Sequence, residues 1–301
     1  MNMRKIEKTG KSKKLTVYSL VTFLVIVLLQ SCGSVPVTGR KQLLLVSDDE
    51  VISLSLKQYQ EYMNTAKVIK GTKDAEMVAR VGQRLASAVE SYLSNNGYAT
   101  EIQKYKWEFS LVQDQSVNAF AMPGGKVVVN TGLIPVAGDE ASLAVVVGHE
   151  IAHVVAKHAN ERLSQQIALQ YGGAIAGNIL GGAAASELGQ TVFGLGAQVG
   201  VMLPYARKQE YEADRLGVIF MAMAGYDPRV SVPFWQRMAE SAEGGNNFEF
   251  LSTHPTDANR IKQLQSVVPE ALKFYTGSTT NQPAASSTNK TSTNTSKDWT
   301  F

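Results

Sequence analysis

His149-Glu150-Ile151-Ala152-His153 sets two imidazoles four residues apart, inside a stretch from Glu140 to Leu163 that has no proline and a single internal glycine, Gly148. Most residues of that stretch favour a helix. At about 100° per residue, His149 and His153 lie roughly 40° apart on the helix surface, so both rings can reach one ion. Zn²⁺ suits nitrogen ligands of this kind in a tetrahedral arrangement. Glu150, one residue step around, can take a proton from a water that the ion acidifies. The bland alternative is a chance HExxH whose histidines are only hydrogen-bonded. The chain has just four His and spends two of them here, and the apolar run Leu143 to Val147 would bury the site, so zinc chemistry is the stronger reading. His158 falls about 180° around from His149 on a continued helix, which makes it a surface or packing residue.

The third ligand must come from elsewhere. A histidine at position 159 with a glycine at 156 would complete the metzincin pattern, but both positions hold alanine. The remaining solution is a glutamate from a separate helix. In Glu210-Tyr211-Glu212-Ala213-Asp214, Glu210 and Asp214 share a helix face and Glu212 points elsewhere. This assigns Glu210 as third ligand and Asp214 as a carboxylate behind a ligand imidazole or the local helix pair. From spacing alone, a solvated charged face with Arg207, Lys208 and Arg215 serves as well. The fourth histidine, His254, precedes Pro255 and reads from its neighbours as a loop residue held extended.

The elements that position these groups can be read around them. Ser47 with Glu50 three residues on forms a capping box ahead of Val51, Leu54, Tyr59, Tyr62 and Met63 at roughly helical spacing. A second helix starts after Thr72, carries Met77, Val78, Val81, Leu85 and Val89, and stops at Asn95-Asn96-Gly97. Trp107, Phe109 and Leu111 alternate as in a strand. Asn118 to Met122 and Lys126 to Asn130 flank Pro123-Gly124-Gly125 as a β-hairpin. A further helix runs from about Arg207 to Met223. Between residues 172 and 200 the frequent glycines read as loops and tight helix contacts. The fold class is α+β, mainly helical, with a small sheet or hairpin beside the active-site helix.

The chain carries 29 Lys+Arg against 26 Asp+Glu, a formal +3, but the excess is local. Arg4, Lys5, Lys8, Lys11, Lys13 and Lys14 crowd the start with Glu7 as the one acid. Without residues 1–31 the balance becomes 23 against 25, net −2, which removes any argument for nucleic-acid binding from global charge. The basic start leads into the apolar run Leu15 to Leu29, too short for a spanning helix but suited to a signal-peptide core. Leu29-Gln30-Ser31-Cys32 resembles the lipobox of bacterial lipoproteins, with Cys32 as the lipidated residue. One cysteine excludes an internal disulfide. Gly33, where an Asp would retain such a lipoprotein at the inner membrane, is similar to the outer-membrane sorting pattern of Gram-negative bacteria. The expected division is a signal peptide over 1–31, a lipidated tether over 32–46, a metallopeptidase domain over 47–275 and a disordered Ser/Thr/Asn-rich tail over 276–301.

The ordered set of motifs resembles metallopeptidase family forty-eight, which holds the HtpX, CAAX-prenyl-protease and Oma-type enzymes, and within it the periplasmic LoiP- and BepA-like lipoproteins. The resemblance covers about residues 34 to 268. It rests on Pro36 to Arg40 with Leu45-Val46-Ser47, Asn118 to Gly125, Val129 to Leu133, the HExxH and ExxxD motifs, and Ser252-Thr253-His254-Pro255 with Arg260. It implies one Zn²⁺ per chain held by His149, His153 and Glu210, with Glu150 as general base and then acid. It also brings His254 near the metal, as an oxyanion stabiliser or a reversible fourth ligand. Arg260 would support the region through a carboxylate. Asn118, Ala119, Phe120 and Ala121 would offer a strand edge to an extended substrate by β-augmentation, with an ordinary structural hairpin as the plain alternative. The implied activity is a zinc endopeptidase of the cell envelope acting on unfolded or misassembled proteins. The competing class is a chaperone-like assembly factor with a latent or structural zinc site. The short chain lacks the several spanning helices of the prenyl proteases, which argues against prenyl-peptide cleavage.

Overall fold

The computed structural model describes residues 32–171, 204–243, 248–254 and 258–277. The basic leader, the glycine-rich stretch and the terminal tail from residue 278 lie outside the described residues. Cys32–Ser34 (β1) and Lys41–Leu43 (β2) pair antiparallel, with Gly33 opposite Gln42. The turn between them is closed by Val35 N–H to Arg40 O at 2.8 Å and Gly39 N–H to Val35 O at 2.9 Å. Within the stretch expected as a lipidated tether, 32–46, Val35, Thr38, Gln42 and Val46 are buried.

Asp48–Thr65 (α1) starts where the Ser47 side chain accepts the Glu50 N–H. A two-residue strand, Val68–Ile69 (β3), leads to Lys73–Asn95 (α2), capped by Thr72 through the Ala75 N–H. Val78, Val81, Leu85, Ala86, Val89 and Leu93 line its buried face, one apolar stripe at helical spacing. After the single turn Ala99–Ile102 (α3) come Glu108–Val112 (β4), Ala119–Met122 (β5) and Lys126–Asn130 (β6). The sheet order is β3-β4-β6-β5, with β4 and β6 parallel and the hairpin β5-β6 antiparallel. Gly124 and Gly125 supply the positive φ, 88° and 92°, that the hairpin loop requires. β5 is therefore an edge strand.

Ile134–Ala137 (α4) precedes Glu140–Val155 (α5), whose Asp139 cap accepts the Ser142 N–H at 2.7 Å. From Ser142 to Val155 every residue of α5 is buried, so this helix is the centre of the molecule. The remaining α-helices among the described residues are His158–Tyr171 (α6), Pro204–Met223 (α7), Ser231–Glu243 (α8), Glu249–Thr253 (α9) and Ala258–Ala271 (α10). The architecture is mainly helical with small sheets, in line with the α+β reading. Among the described residues no helix is long and apolar enough to cross a membrane.

The expected single helix from Glu140 to Leu163 is two helices. Lys157 adopts φ 56°, a left-handed conformation that costs a side-chain-bearing residue about 1–2 kcal/mol. Lys157 Nζ is held by Asp48 Oδ2 at 2.7 Å and Glu101 Oε2 at 2.9 Å, contacts from α1 and α3 that offset this cost.

Candidate metal centre

Two helices carry His149, His153 and Glu210, and their close approach is written in glycine. A Cβ on Gly217 of α7 would lie 2.7 Å from the His149 amide nitrogen, and one on Gly148 of α5 would lie 2.9 Å from the Gly217 carbonyl oxygen. The backbones touch at the first histidine of the motif. Glu210, Asp214 and Gly217 follow one another along the face of α7 turned toward α5.

His149 Nε2 and His153 Nε2 are 3.0 Å apart. Glu210 Oε2 lies 3.2 Å from His149 Nε2, and its Oε1 lies 3.4 Å from His153 Nε2. His254 Nδ1 joins the group, 3.3 Å from His149 Nε2 and 2.9 Å from Glu210 Oε2. One ligand atom from each of these four residues falls within 4.8 Å of the others. A tetrahedral zinc with bonds of 2.0–2.1 Å places its ligand atoms about 3.3 Å apart, so these separations match what the ion demands. The donor set of three imidazoles and one carboxylate suits it as well.

The titration behaviour of the cluster follows its burial and charge. Burial would raise Glu210, but His254 and His153 hold it well below the usual carboxylate range. Burial pushes the His153 imidazole well below its ordinary value. For His149, burial is outweighed by hydrogen bonds to Asp214 and Glu210, which lift it to about 9. Burial drives the Glu150 carboxyl upward, with Glu210 adding to the effect against the pull of His254 and His149.

Asp214 stands behind His149: its Oδ1 lies 2.9 Å from His149 Nδ1. That bond places the ring proton on Nδ1 and leaves Nε2 for the ion. Arg260, fully buried on α10, grips both Asp214 oxygens at 2.6 and 2.8 Å and donates to the His254 carbonyl at 2.8 Å. Its guanidinium sits 4.3 Å over the Trp235 ring, and Trp235 packs edge-on to His149. The support of Arg260 through a carboxylate thus runs through Asp214. His254 continues from α9, its ring stacked on Phe250 at 4.5 Å, and its N–H bonds to the Phe250 carbonyl at 2.8 Å.

Glu150 Oε2 accepts the Ala121 N–H of β5 at 2.9 Å. Its Oε1 is buried and makes no hydrogen bond among the described residues, with His254 Nε2 3.6 Å away. Of the proposed strand residues, Ala119 and Ala121 are the ones whose backbone groups alternate away from β6, while Phe120 turns its ring against Tyr62 at 5.4 Å. Asn118 lies just before the strand, and its carbonyl accepts the Asn130 N–H at 3.0 Å. A cleft beside His153 is lined by Ala121, Pro123, Gly124, Ile52, Val154 and Arg162.

His158 requires a correction. It is fully buried, and its Nδ1 lies 2.8 Å from His153 Nδ1. Extrapolating α5 through the Lys157 turn put it on the wrong side; the turn swings it back beneath the site. Its other nitrogen, Nε2, meets Glu212 Oε2 at 3.0 Å, so Glu212 also belongs to the surroundings of the metal ligands. The ExE spacing was the available signal, since Glu212 points away from Glu210 and must be matched by a partner when buried.

A profile of peptidase family M48 matches residues 73–268, which include all four residues of the cluster. The chain belongs to peptidase family M48. M48 enzymes use zinc, and the four-residue cluster fits one such ion per chain. Among M48 relatives, the mitochondrial metalloendopeptidase OMA1 of Bos taurus is 35% identical over 79% of this chain and 46% of its own length. The mitochondrial metalloendopeptidase OMA1 of Schizosaccharomyces pombe is 33% identical over 65% of this chain and 59% of its own. The beta-barrel assembly-enhancing protease of Escherichia coli is 29% identical over 72% of this chain and 45% of its own. The chain spans about half the length of the curated relatives it matches.

Proposed function

We propose that the chain is a zinc-dependent endopeptidase of protein quality control, cleaving unfolded or misassembled proteins of the bacterial cell envelope. The observation that carries the reading is Glu150: a buried carboxylate beside the ligand cluster, oriented by the Ala121 N–H, whose second oxygen makes no hydrogen bond among the described residues. A purely structural metal site has no use for such a group. Bound zinc would acidify a water and polarise the scissile carbonyl. Glu150 Oε1 takes the proton of the attacking water and then delivers it to the leaving amine, and its upward-shifted pKa suits both tasks. An extended backbone would meet the outer edge of β5 at the Ala121 carbonyl, the Ala121 N–H being held by Glu150, and the cleft at Ile52, Val154 and Arg162 would take an adjacent side chain.

Because His254 Nδ1 lies within the cluster, we take the conformation as a latent one in which His254 would serve as a reversible fourth ligand. Displacing His254 from that position opens it for substrate and leaves the imidazole beside Glu150 to stabilise the oxyanion. Envelope location rests on the leader and on Cys32, whose lipid would anchor the enzyme to a membrane, by the Gly33 pattern the outer membrane facing the periplasm. The name of the E. coli relative, a beta-barrel assembly-enhancing protease, supports a role in envelope protein assembly, and that of the OMA1 relatives supports metalloendopeptidase activity.

The test is Glu150→Gln in the full-length protein. It should retain stoichiometric zinc and lose cleavage of an unfolded protein such as casein; equal cleavage by the variant sinks the mechanism. Mass spectrometry should find Cys32 as a lipidated N-terminus, and an unmodified Cys32 in an uncleaved chain would remove the anchor.

A further inference from the structure

The second ligand histidine is backed by a longer construction than the first. His153 Nε2 belongs to the ligand cluster, so in the neutral ring its proton sits on Nδ1. That N–H donates to His158 Nδ1 at 2.8 Å. His158 must then carry its own proton on Nε2, which donates to Glu212 Oε2 at 3.0 Å. Glu212 Oε1 accepts the Thr38 hydroxyl at 2.5 Å, and Oε2 accepts Arg40 Nε–H at 2.7 Å. The other Arg40 nitrogens reach both oxygens of Glu161 at 2.8 and 2.7 Å, and Glu161 Oε2 accepts from Gln209, the neighbour of Glu210, at 2.7 Å. From His153 to Glu212 one tautomer assignment satisfies both bonds, and their polarity runs from the metal cluster to a carboxylate.

The two ligand imidazoles are thus treated alike. His149 leans on Asp214, which Arg260 holds; His153 leans through His158 on Glu212, which Arg40 holds. The difference lies in where the outer arginine comes from. Arg260 sits in the core, whereas Arg40 belongs to the β1-β2 turn that begins at Cys32 and is part-exposed.

We propose that His158 and Glu212 are positioning residues that set the tautomer and ring angle of His153, and that Thr38 and Arg40 anchor their far end. Through them, docking of the segment next to Cys32 tunes how tightly the zinc centre holds its ion. The inference rests on the zinc site and not on any substrate.

The experiment measures zinc affinity by competition with a chromophoric chelator, and the visible spectrum of the Co²⁺-substituted protein, on the full chain. His158→Phe, which fills the space without bonding, should weaken zinc about tenfold to a hundredfold, the usual cost of losing a partner behind a ligand histidine. His158→Gln offers an amide oxygen to His153 and an amide N–H to Glu212, and should recover most of the loss. Arg40→Met combined with Thr38→Val should shift zinc affinity in the same direction and alter the Co²⁺ bands. Wild-type affinity in His158→Phe, or a Gln variant no better than Phe, overturns the relay. Should His158→Phe not fold, the Thr38/Arg40 variant carries the test, and wild-type affinity with unchanged Co²⁺ bands overturns the proposal. A wild-type protein that binds no zinc would instead count against the metal centre itself.

Discussion

Gly148 of α5 and Gly217 of α7 face each other so closely that a methyl group on Gly217 would stand 2.7 Å from the His149 backbone nitrogen. The contact brings the helix of Glu210 and Asp214 against the helix of His149 and His153 at the depth where their side chains meet. The obstructing atoms are backbone, which cannot move aside as a flexible side chain can.

Gly217→Ala should therefore destabilise the metal-free protein by about 1–3 kcal/mol, the usual range for overpacking a tight core. It should also weaken zinc, because the two halves of the ligand set move apart. Denaturant unfolding and chelator competition check both; unchanged values in both would show that the helix spacing does not depend on these glycines.

Arg260 is a buried charge paired with the buried Asp214. Removing the cation in Arg260→Met leaves Asp214 uncompensated and should cost about 3–5 kcal/mol, as for other broken buried pairs. Asp214→Asn, whose amide oxygen can still accept from His149 Nδ1–H, should disturb zinc binding less than Asp214→Ala. Equal losses in the two Asp214 variants would count against the role of that bond.

His254→Ala should keep zinc on His149, His153 and Glu210 while changing turnover of an unfolded substrate. A rise would follow if displacing the fourth ligand limits the rate, and a fall if the imidazole is needed at the oxyanion. Turnover kinetics identical to wild type would remove His254 from the site.

Asp48 ties α1 to Lys104 and to the left-handed Lys157. Burial would raise this carboxyl, but the hydrogen bonds and charges of the two lysines hold it below its ordinary 3.8. A depressed carboxylate contributes stability above its unfolded pKa and loses it as pH falls through the folded value. Asp48→Asn should thus lower the melting temperature at pH 7, and its gap from wild type should narrow as the pH drops below about 4. A gap that stays constant down to acid pH would show that the ion pair is not its source.

Much of this site could be read along the chain, because its pairs are local. Spacing of four on a helix puts His149 with His153 and Glu210 with Asp214, whatever the rest of the protein does. Ser47, Thr72 and Asp139 cap the helices they precede through bonds to residues three positions on. Gly124 and Gly125 close the β5-β6 hairpin for the same local reason. What only the tertiary structure decided was set by contacts between residues distant in sequence. The helix ends at the left-handed Lys157, whose amine Asp48 and Glu101 hold, and beyond that break His158 faces His153 rather than outward. Thr38 and Arg40 carry no periodic signal, and their partners Glu212 and Glu161 lie over a hundred positions away. Periodicity reports which side chains share a face, whereas which faces meet depends on packing, and here on two glycines small enough to let the helices touch.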